Sequence, residues 1–211
     1  MATMPKSLLW ARTDTTGTDH VLFDDRHGLT ARGVAPAVDP IPYTCRYDLA
    51  TDENWAALRL EVSVEGAGWL RTLRLERASG RWRASTGEVG DLDAALAAAG
   101  APGAGLPGTE EPDRLEAALD IDLYGAPLFN TLPVRRLGLL GAEPGQAHRL
   151  TMAFVRLPSL EVLPAEQVYT PLGGTSVRFA SGRFTADLDL DPDGYVVRYP
   201  GLARRADHPP S

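Results

Sequence analysis

Leu58-Arg-Leu-Glu-Val-Ser-Val64 alternates apolar and polar side chains at every step. A period of two marks a strand with one buried face, because successive side chains leave a pleated backbone on opposite sides. Leu58, Leu60, Val62 and Val64 are expected on the inner face, with Arg59, Glu61 and Ser63 outside. The same pattern extends in both directions. Upstream, Tyr43, Cys45, Tyr47 and Leu49 share one face. Downstream, Gly66-Ala-Gly68 reads as a turn, and Trp69 to Arg77 continues the alternation through Leu73 and Leu75. Ser79-Gly80 turns again and Arg81-Trp-Arg-Ala84 returns, which makes an antiparallel meander.

The alternation stops at Asp91. Asp91-Leu-Asp-Ala-Ala-Leu-Ala-Ala-Ala99 predicts a short helix, with Asp91 as N-cap and Gly100 just past its end. Ala101 to Pro112, rich in Gly, Pro and Ala, predicts a flexible inserted loop, since strand-like sequence lies on both sides. Thr131-Leu-Pro-Val-Arg-Arg-Leu137 predicts a second short helix, capped by Thr131, with Pro133 in its first turn and Gly138 as its stop. Further strands are expected over 148–157, 160–170, 176–180, 183–190 and 195–199. Pro158-Ser159, Gly173-Gly174, Ser181-Gly182 and Asp193-Gly194 supply the turns, and the tail from Ala206 to Ser211 is expected to fray. The fold class is therefore mainly β: a single-domain antiparallel β-roll or half-barrel over 3–206, wrapped around one short helix, with an insertion near 100–112. A rolled sheet with few covering helices often leaves a cavity.

The 211 residues are 44% apolar, enough for a sizeable core. A net charge of −7 and a pI near 5.1 argue against a general nucleic-acid binder. The one cysteine, Cys45, permits no internal disulfide, which fits a reducing cytoplasm, and its place in an alternating run reads as a buried structural thiol. The N-terminal residues carry no apolar run of the signal-peptide kind. No stretch approaches the roughly 20 apolar residues of a membrane span, so no stable membrane insertion is expected. The Ala, Arg, Gly, Leu and Pro bias suggests a GC-rich bacterial genome.

Charge gathers in one mostly apolar stretch. Asp120 and Asp122 alternate on a strand and face the same side, and Arg135-Arg136 follow on the predicted helix. Paired carboxylates can hold a divalent metal or act as acid and base. They can equally be ion-paired with Arg135, Arg136 or another arginine, since a buried unpaired charge is costly. An arginine fork also suits an anion, but neighbours on a helix point about 100° apart, so one of the two is expected to face any site. Asp189-Leu-Asp-Pro-Asp-Gly194 matches half a calcium loop, but Pro200 stands where the pattern needs Glu. A hairpin turn with Asp187 and Asp189 on the outer face fits better. His20, His27, His148 and His208 have no metal-ligand spacing, and no Walker, Rossmann or nucleophile-elbow motif occurs. No metal or cofactor is expected. Arg198 and Tyr199, just before Pro200-Gly201, read either as a cavity mouth or as the end of a closing strand.

Several stretches, in order, are familiar: Asp120-Ile-Asp-Leu123, Asn130-Thr-Leu-Pro-Val-Arg-Arg-Leu137, Val155-Arg-Leu-Pro-Ser-Leu160, Glu166-Gln-Val-Tyr-Thr170 and Asp193-Gly-Tyr-Val-Val-Arg-Tyr-Pro-Gly-Leu202. With Trp10-x-Arg12, His27 to Gly33 and Tyr47 to Trp55, the chain resembles the "putative glycolipid-binding" family, formerly a bacterial family of unknown function. The resemblance spans nearly the whole chain. It implies a many-stranded antiparallel sheet spiralling around one helix, often as a homodimer, with a likeness to periplasmic carriers that hold acyl chains in a half-barrel. Such a likeness fixes a fold and not a function. Two departures stand out: a longer Gly-Pro-Ala loop before Leu115, and Ala203 where an aromatic is expected after Gly201-Leu202.

The leading expectation is a cytoplasmic protein that binds an amphipathic, lipid- or glycolipid-like small molecule. Inner-face apolar residues would hold the tail, and Asn130, Arg135, Arg136, Arg198 and Tyr199 the polar head. The alternative is a biosynthetic enzyme of lyase, cyclase or hydrolase type in the same cavity, with Asp120 or Asp122 as acid–base group beside Arg and Tyr. A third reading is a dimeric scaffold whose sheet face binds a protein.

Overall fold

Period-two alternation builds fourteen strands in the computed structural model, which describes residues 6–207. The first seven form consecutive antiparallel neighbours: β1 (Lys6–Arg12), β2 (Thr18–Asp24), β3 (Thr30–Ala37), β4 (Tyr43–Thr51), β5 (Ala57–Gly66), β6 (Trp69–Ala78) and β7 (Arg81–Gly90). Helix α1 (Leu92–Ala98) follows, with Asp91 accepting from the Ala94 amide at 2.8 Å as N-cap. Then come β8 (Asp120–Leu123), α2 (Thr131–Arg136), β9 (His148–Val155), β10 (Val162–Gly173), β11 (Ser176–Ser181), β12 (Phe184–Leu190), β13 (Val196–Tyr199) and β14 (Ala203–Arg205).

All fourteen lie in one continuous open sheet in the order β7-β6-β5-β4-β3-β2-β1-β14-β13-β12-β11-β10-β9-β8. The first and last strands of the chain meet in the middle, and the two halves run outward from there. The sheet's two ends then come back together. The Ala57 amide donates to Leu119 O at 2.9 Å, and Trp82 Nε1 donates to Ala118 O at 3.0 Å. Arg71, buried on β6, reaches Ser159 O at 3.1 Å. The result is a roll with β8 tucked inside it.

One ladder departs from the antiparallel expectation: β8 pairs with β9 in parallel. Parallel neighbours need a crossover, and the segment carrying α2 supplies it. Because β8 lies inside the roll, both its faces are used. Ile121 and Leu123 join the large core of the first half, while Asp120 and Asp122 face the second half. Helix α2 is likewise shared: Leu132 packs in the large core and Val134 in a smaller one with Tyr169, Val177, Phe179, Leu188 and Tyr199.

The inner faces of β4 and β6 match the alternation, with Tyr43, Cys45, Tyr47, Leu49, Leu73 and Leu75 buried. Burial pushes the Cys45 thiol pKa up, away from reactivity. Tyr47 lies flat over Gly33 of the neighbouring strand, where a Cβ would sit 1.9 Å from its ring. Several local expectations differ from the structure. Leu58 is 42% exposed, because the β4–β5 register shifts between Ala50 and Thr51 and brings Ala57 inward in its place. Thr131 caps nothing: the chain is already helical from Pro127, and the Thr131 hydroxyl is buried without a partner. Strand β7 runs on to Gly90, and β14 pairs between β1 and β13 beyond the last strand expected. The 101–112 loop is tied down, with the Gly108 amide donating to Leu160 O at 2.8 Å and the Ala104 amide to Asp93 Oδ1 at 2.7 Å. Most of the tail expected to fray lies outside the described residues, and Ala206 itself donates to Leu9 O at 2.7 Å. No helix among the described residues is long and apolar enough to cross a membrane.

Candidate functional site

The two carboxylates of β8 share a face, and their fates differ. Asp120 is buried and held by Arg136 through three contacts: Nε to Oδ1 at 3.1 Å, Nε to Oδ2 at 3.2 Å, and a terminal nitrogen to Oδ2 at 2.5 Å. Burial raises the Asp120 pKa, and Arg136 pulls it back. A forked pair of this kind pins the crossover helix to the inner strand, and it leaves neither partner for a ligand.

Among the described residues no cation pairs with Asp122. Gln167 on β10 donates from Nε2 to Asp122 Oδ2 at 2.5 Å. Gln167 Oε1 in turn accepts from the Tyr169 hydroxyl at 3.1 Å, and that hydroxyl accepts from Asn130 Nδ2 at 2.9 Å. Among the described residues Asp122 Oδ1 has no hydrogen-bond partner, and it is not sealed from solvent. Burial pushes the Asp122 carboxyl up to about 6, against the Gln167 hydrogen bond.

Oδ1 opens into a cleft of about 540 Å³. Its floor is polar, made by Asp122, Gln167, Asn130 and Tyr199, with Ser181 nearby. Its walls are apolar: Phe154 and Leu163 on one side, Phe179, Phe184 and Leu202 on the other. Strand register explains the placement. Asp122 stands opposite Phe154, Phe154 opposite Leu163, Tyr169 opposite Phe179, and Ser181 opposite Phe184, all on one inner face. The Phe179, Phe184 and Tyr199 rings form a mutually packed trio with centroids 5.8 to 6.1 Å apart. Burial, and then the neighbouring Asp122, push the Tyr199 phenol pKa up, and among the described residues its hydroxyl has no partner within the protein.

Asp14 and Tyr124 edge the mouth. Arg12 fixes that rim, donating from Nε to Asp14 at 2.7 Å and from a terminal nitrogen to Gly125 O at 3.3 Å. Gly125 has φ +77°, and a Cβ there would lie 1.8 Å from the Arg12 guanidinium, so this turn admits glycine alone.

Of the residues singled out from the sequence, the structure brings Asp122, Asn130 and Tyr199 together in the cleft. It puts the others elsewhere. Arg136 is turned to Asp120. Arg135 lies over the Trp55 ring at 4.4 Å and donates to Asp193 O at 2.7 Å, outside the cleft. Arg198 is on the outer face, with its Nε 2.7 Å from Asp189. Gln167, Phe154, Phe179, Phe184 and Arg156 line the cleft and were not anticipated. One signal for Gln167 was present: it takes an inward position between Ala165 and Tyr169, where an apolar residue is the rule. Among the described residues no group of three His, Cys, Asp or Glu side chains is placed to hold a metal.

No curated protein matches the chain. A solved structure of a DUF1089 family protein from Pseudomonas aeruginosa is similar over 89% of this chain and 91% of that one, with 26% identity and a TM-score of 0.68. A family model described as "putative glycolipid-binding" matches residues 7–205, nearly the full length, and the chain belongs to that family.

Proposed function

We propose that the protein binds an amphipathic small molecule in the cleft between β8 and β12, its tail along Phe154, Leu163 and Phe184 and its polar head at Asp122 and Asn130. The observation that carries this reading is the pairing of an apolar wall with a polar floor linked by hydrogen bonds. A cleft of that size, mostly apolar with a few convergent polar groups, suits a small ligand with two ends. The family description, glycolipid binding, points the same way. Native mass spectrometry of freshly purified protein, joined to thermal shifts with a panel of single-chain amphiphiles, tests it. A retained amphiphile or a concentration-dependent shift is expected; a clean apo mass with no shift from any amphiphile sinks it.

One observation favours a second reading, proton transfer on a bound molecule. A carboxyl pushed up to about 6 and open to a cleft is poised to exchange a proton near neutral pH. Asp122→Asn separates the readings. An enzyme loses turnover by far more than its affinity changes; a carrier changes in affinity alone.

A further inference from the structure

The direction of the hydrogen bonds on the cleft floor says which kind of head group fits. Asp122 is an acceptor, so the Gln167 amide must turn its nitrogen toward it, at 2.5 Å. Gln167 then has only its carbonyl for Tyr169, so the Tyr169 hydroxyl donates, at 3.1 Å. That hydroxyl must accept from Asn130, whose nitrogen is 2.9 Å away. The carboxylate thus orients every group behind it, with Gln167 donating to Asp122, Tyr169 to Gln167 and Asn130 to Tyr169. Among the described residues, the charged group that this floor leaves open to the cleft is an acceptor, Asp122 Oδ1, with the Tyr199 hydroxyl as a neutral donor beside it.

The cations near the cleft do not offset this. Arg136 is taken by Asp120 at 2.5 Å, and Arg135 is outside, over Trp55. Arg12 is clasped by Asp14 at 2.5 Å. Among the described residues the cation in the lining is Arg156, a half-exposed side chain at the rim, 2.8 Å from Glu161. A phosphate or carboxylate head on this floor would meet a carboxylate oxygen in a partly dehydrated site, and like charges so placed repel strongly. The surrounding Phe179, Phe184 and Tyr199 rings suit either the C–H face of a sugar or a cation.

We propose that the cleft selects a non-anionic head group that donates a hydrogen bond to Asp122 Oδ1, a sugar hydroxyl or a primary ammonium, and rejects phosphate and carboxylate heads. This rests on the binding reading above and narrows it.

Titration of the wild-type protein with octyl glucoside, octylamine and octyl phosphate, three probes with the same tail, tests the ranking below their micelle concentrations near pH 7. The glucoside or the amine is expected to bind at least about tenfold more tightly than the phosphate. Octyl phosphate binding as well as or better than both overturns the inference and leaves the binding reading standing. Equal binding of all three overturns it too, because the tail alone is then recognised. Failure of all three overturns both. Repeating the titration near pH 5 separates the two sources: affinity for octylamine falls as the carboxylate is neutralised, and affinity for the glucoside stays within about twofold. Asp122→Asn reproduces the loss for octylamine at neutral pH. The ranking and the pH arm do not depend on that variant folding.

Discussion

The two halves of the sheet share one sequence grammar and reach opposite outcomes. Strands β1–β7 alternate apolar and polar residues, and their inner face is filled by large side chains, including Trp10, Trp69 and Trp82. Strands β8–β13 alternate in the same way, but their inner face carries Asp122, Gln167, Tyr169 and Ser181 among the apolar residues, and a cleft of about 540 Å³ remains. The difference lies in how the inward positions are filled, by large apolar side chains in one half and by a mixed set in the other. Polar residues occur inward in both halves: Asp19 and Arg71 are closed over in the first, whereas Asp122 in the second keeps one oxygen open to the cleft.

The largest expected effect tests the filled half against the hollow one. Trp10 is fully buried and its Nε1 donates to Val196 O at 2.7 Å. Trp10→Ala is expected to cost about 3–5 kcal/mol in urea denaturation, from lost burial and the cavity left behind. Phe184, 44% exposed on the cleft wall, already faces open space, and Phe184→Ala is expected to cost about 1 kcal/mol. Equal losses would mean that the cleft wall is packed as tightly as the core.

Next comes the joint between the halves. Arg136→Ala leaves Asp120 buried without its partner, and about 3 kcal/mol of stability should be lost at neutral pH. The loss should shrink in acid as Asp120 takes up a proton, and Asp120→Asn should recover part of it in the double variant. A melt series across pH checks both. If Arg136 instead served a ligand, the variant would keep its stability and lose binding.

Two buried carboxyls, one in each half, come third. Asp19 in the filled core accepts from the Tyr47 hydroxyl at 2.9 Å, its Oδ2 has no partner, and burial pushes it up to about 7. Asp122 in the cleft is pushed up to about 6. Both native pKa values lie above the ordinary 3.8, so the unfolded chain loses these protons first. Their contribution to stability is full below about pH 4 and is lost as pH rises, through about 6 for Asp122 and about 7 for Asp19. Asp19→Asn should flatten that slope and raise stability above neutral pH by about 2 kcal/mol, and Asp122→Asn by about 1 kcal/mol, since its carboxyl is wetted by the cleft. Denaturation midpoints between acid and alkaline pH report both. A slope that survives in the double variant would place its origin elsewhere.

Most of the strands could be read from the sequence because period-two alternation is local and strong. So could the helix that the sheet wraps and its stop at Gly138, though its expected start is Thr131 and the chain is already helical from Pro127. Leu58 misled because a bulge is a property of two paired strands, and one strand alone does not reveal it. Strand β14 is three residues long and owes its existence to lying between β1 and β13, which no local pattern announces. For the site, local sequence identified charged residues but not their partners. Asp120 and Asp122 look equivalent in sequence, and only the roll gives one of them Arg136 and the other Gln167. The aromatic wall was hidden for the same reason: Phe154, Phe179 and Phe184 come from three different strands, and their meeting depends on register.

The smallest expected effect is the sharpest test of that register. Arg198 and Tyr199 are consecutive on β13 and so point to opposite sides of the sheet. Arg198 pairs with Asp189 across the outer face, half-exposed, and Tyr199 lines the cleft. An exposed ion pair of this kind contributes little, because water screens it and two long side chains are immobilised to form it. Arg198→Ala should cost under about 0.5 kcal/mol in a thermal melt and leave amphiphile affinity unchanged. Tyr199→Ala removes a ring and a hydroxyl from the cleft, so octyl glucoside or octylamine affinity should fall several-fold. A one-residue slip of β13 would exchange these outcomes, so a large binding loss in Arg198→Ala with none in Tyr199→Ala would move the site to the other face of the sheet.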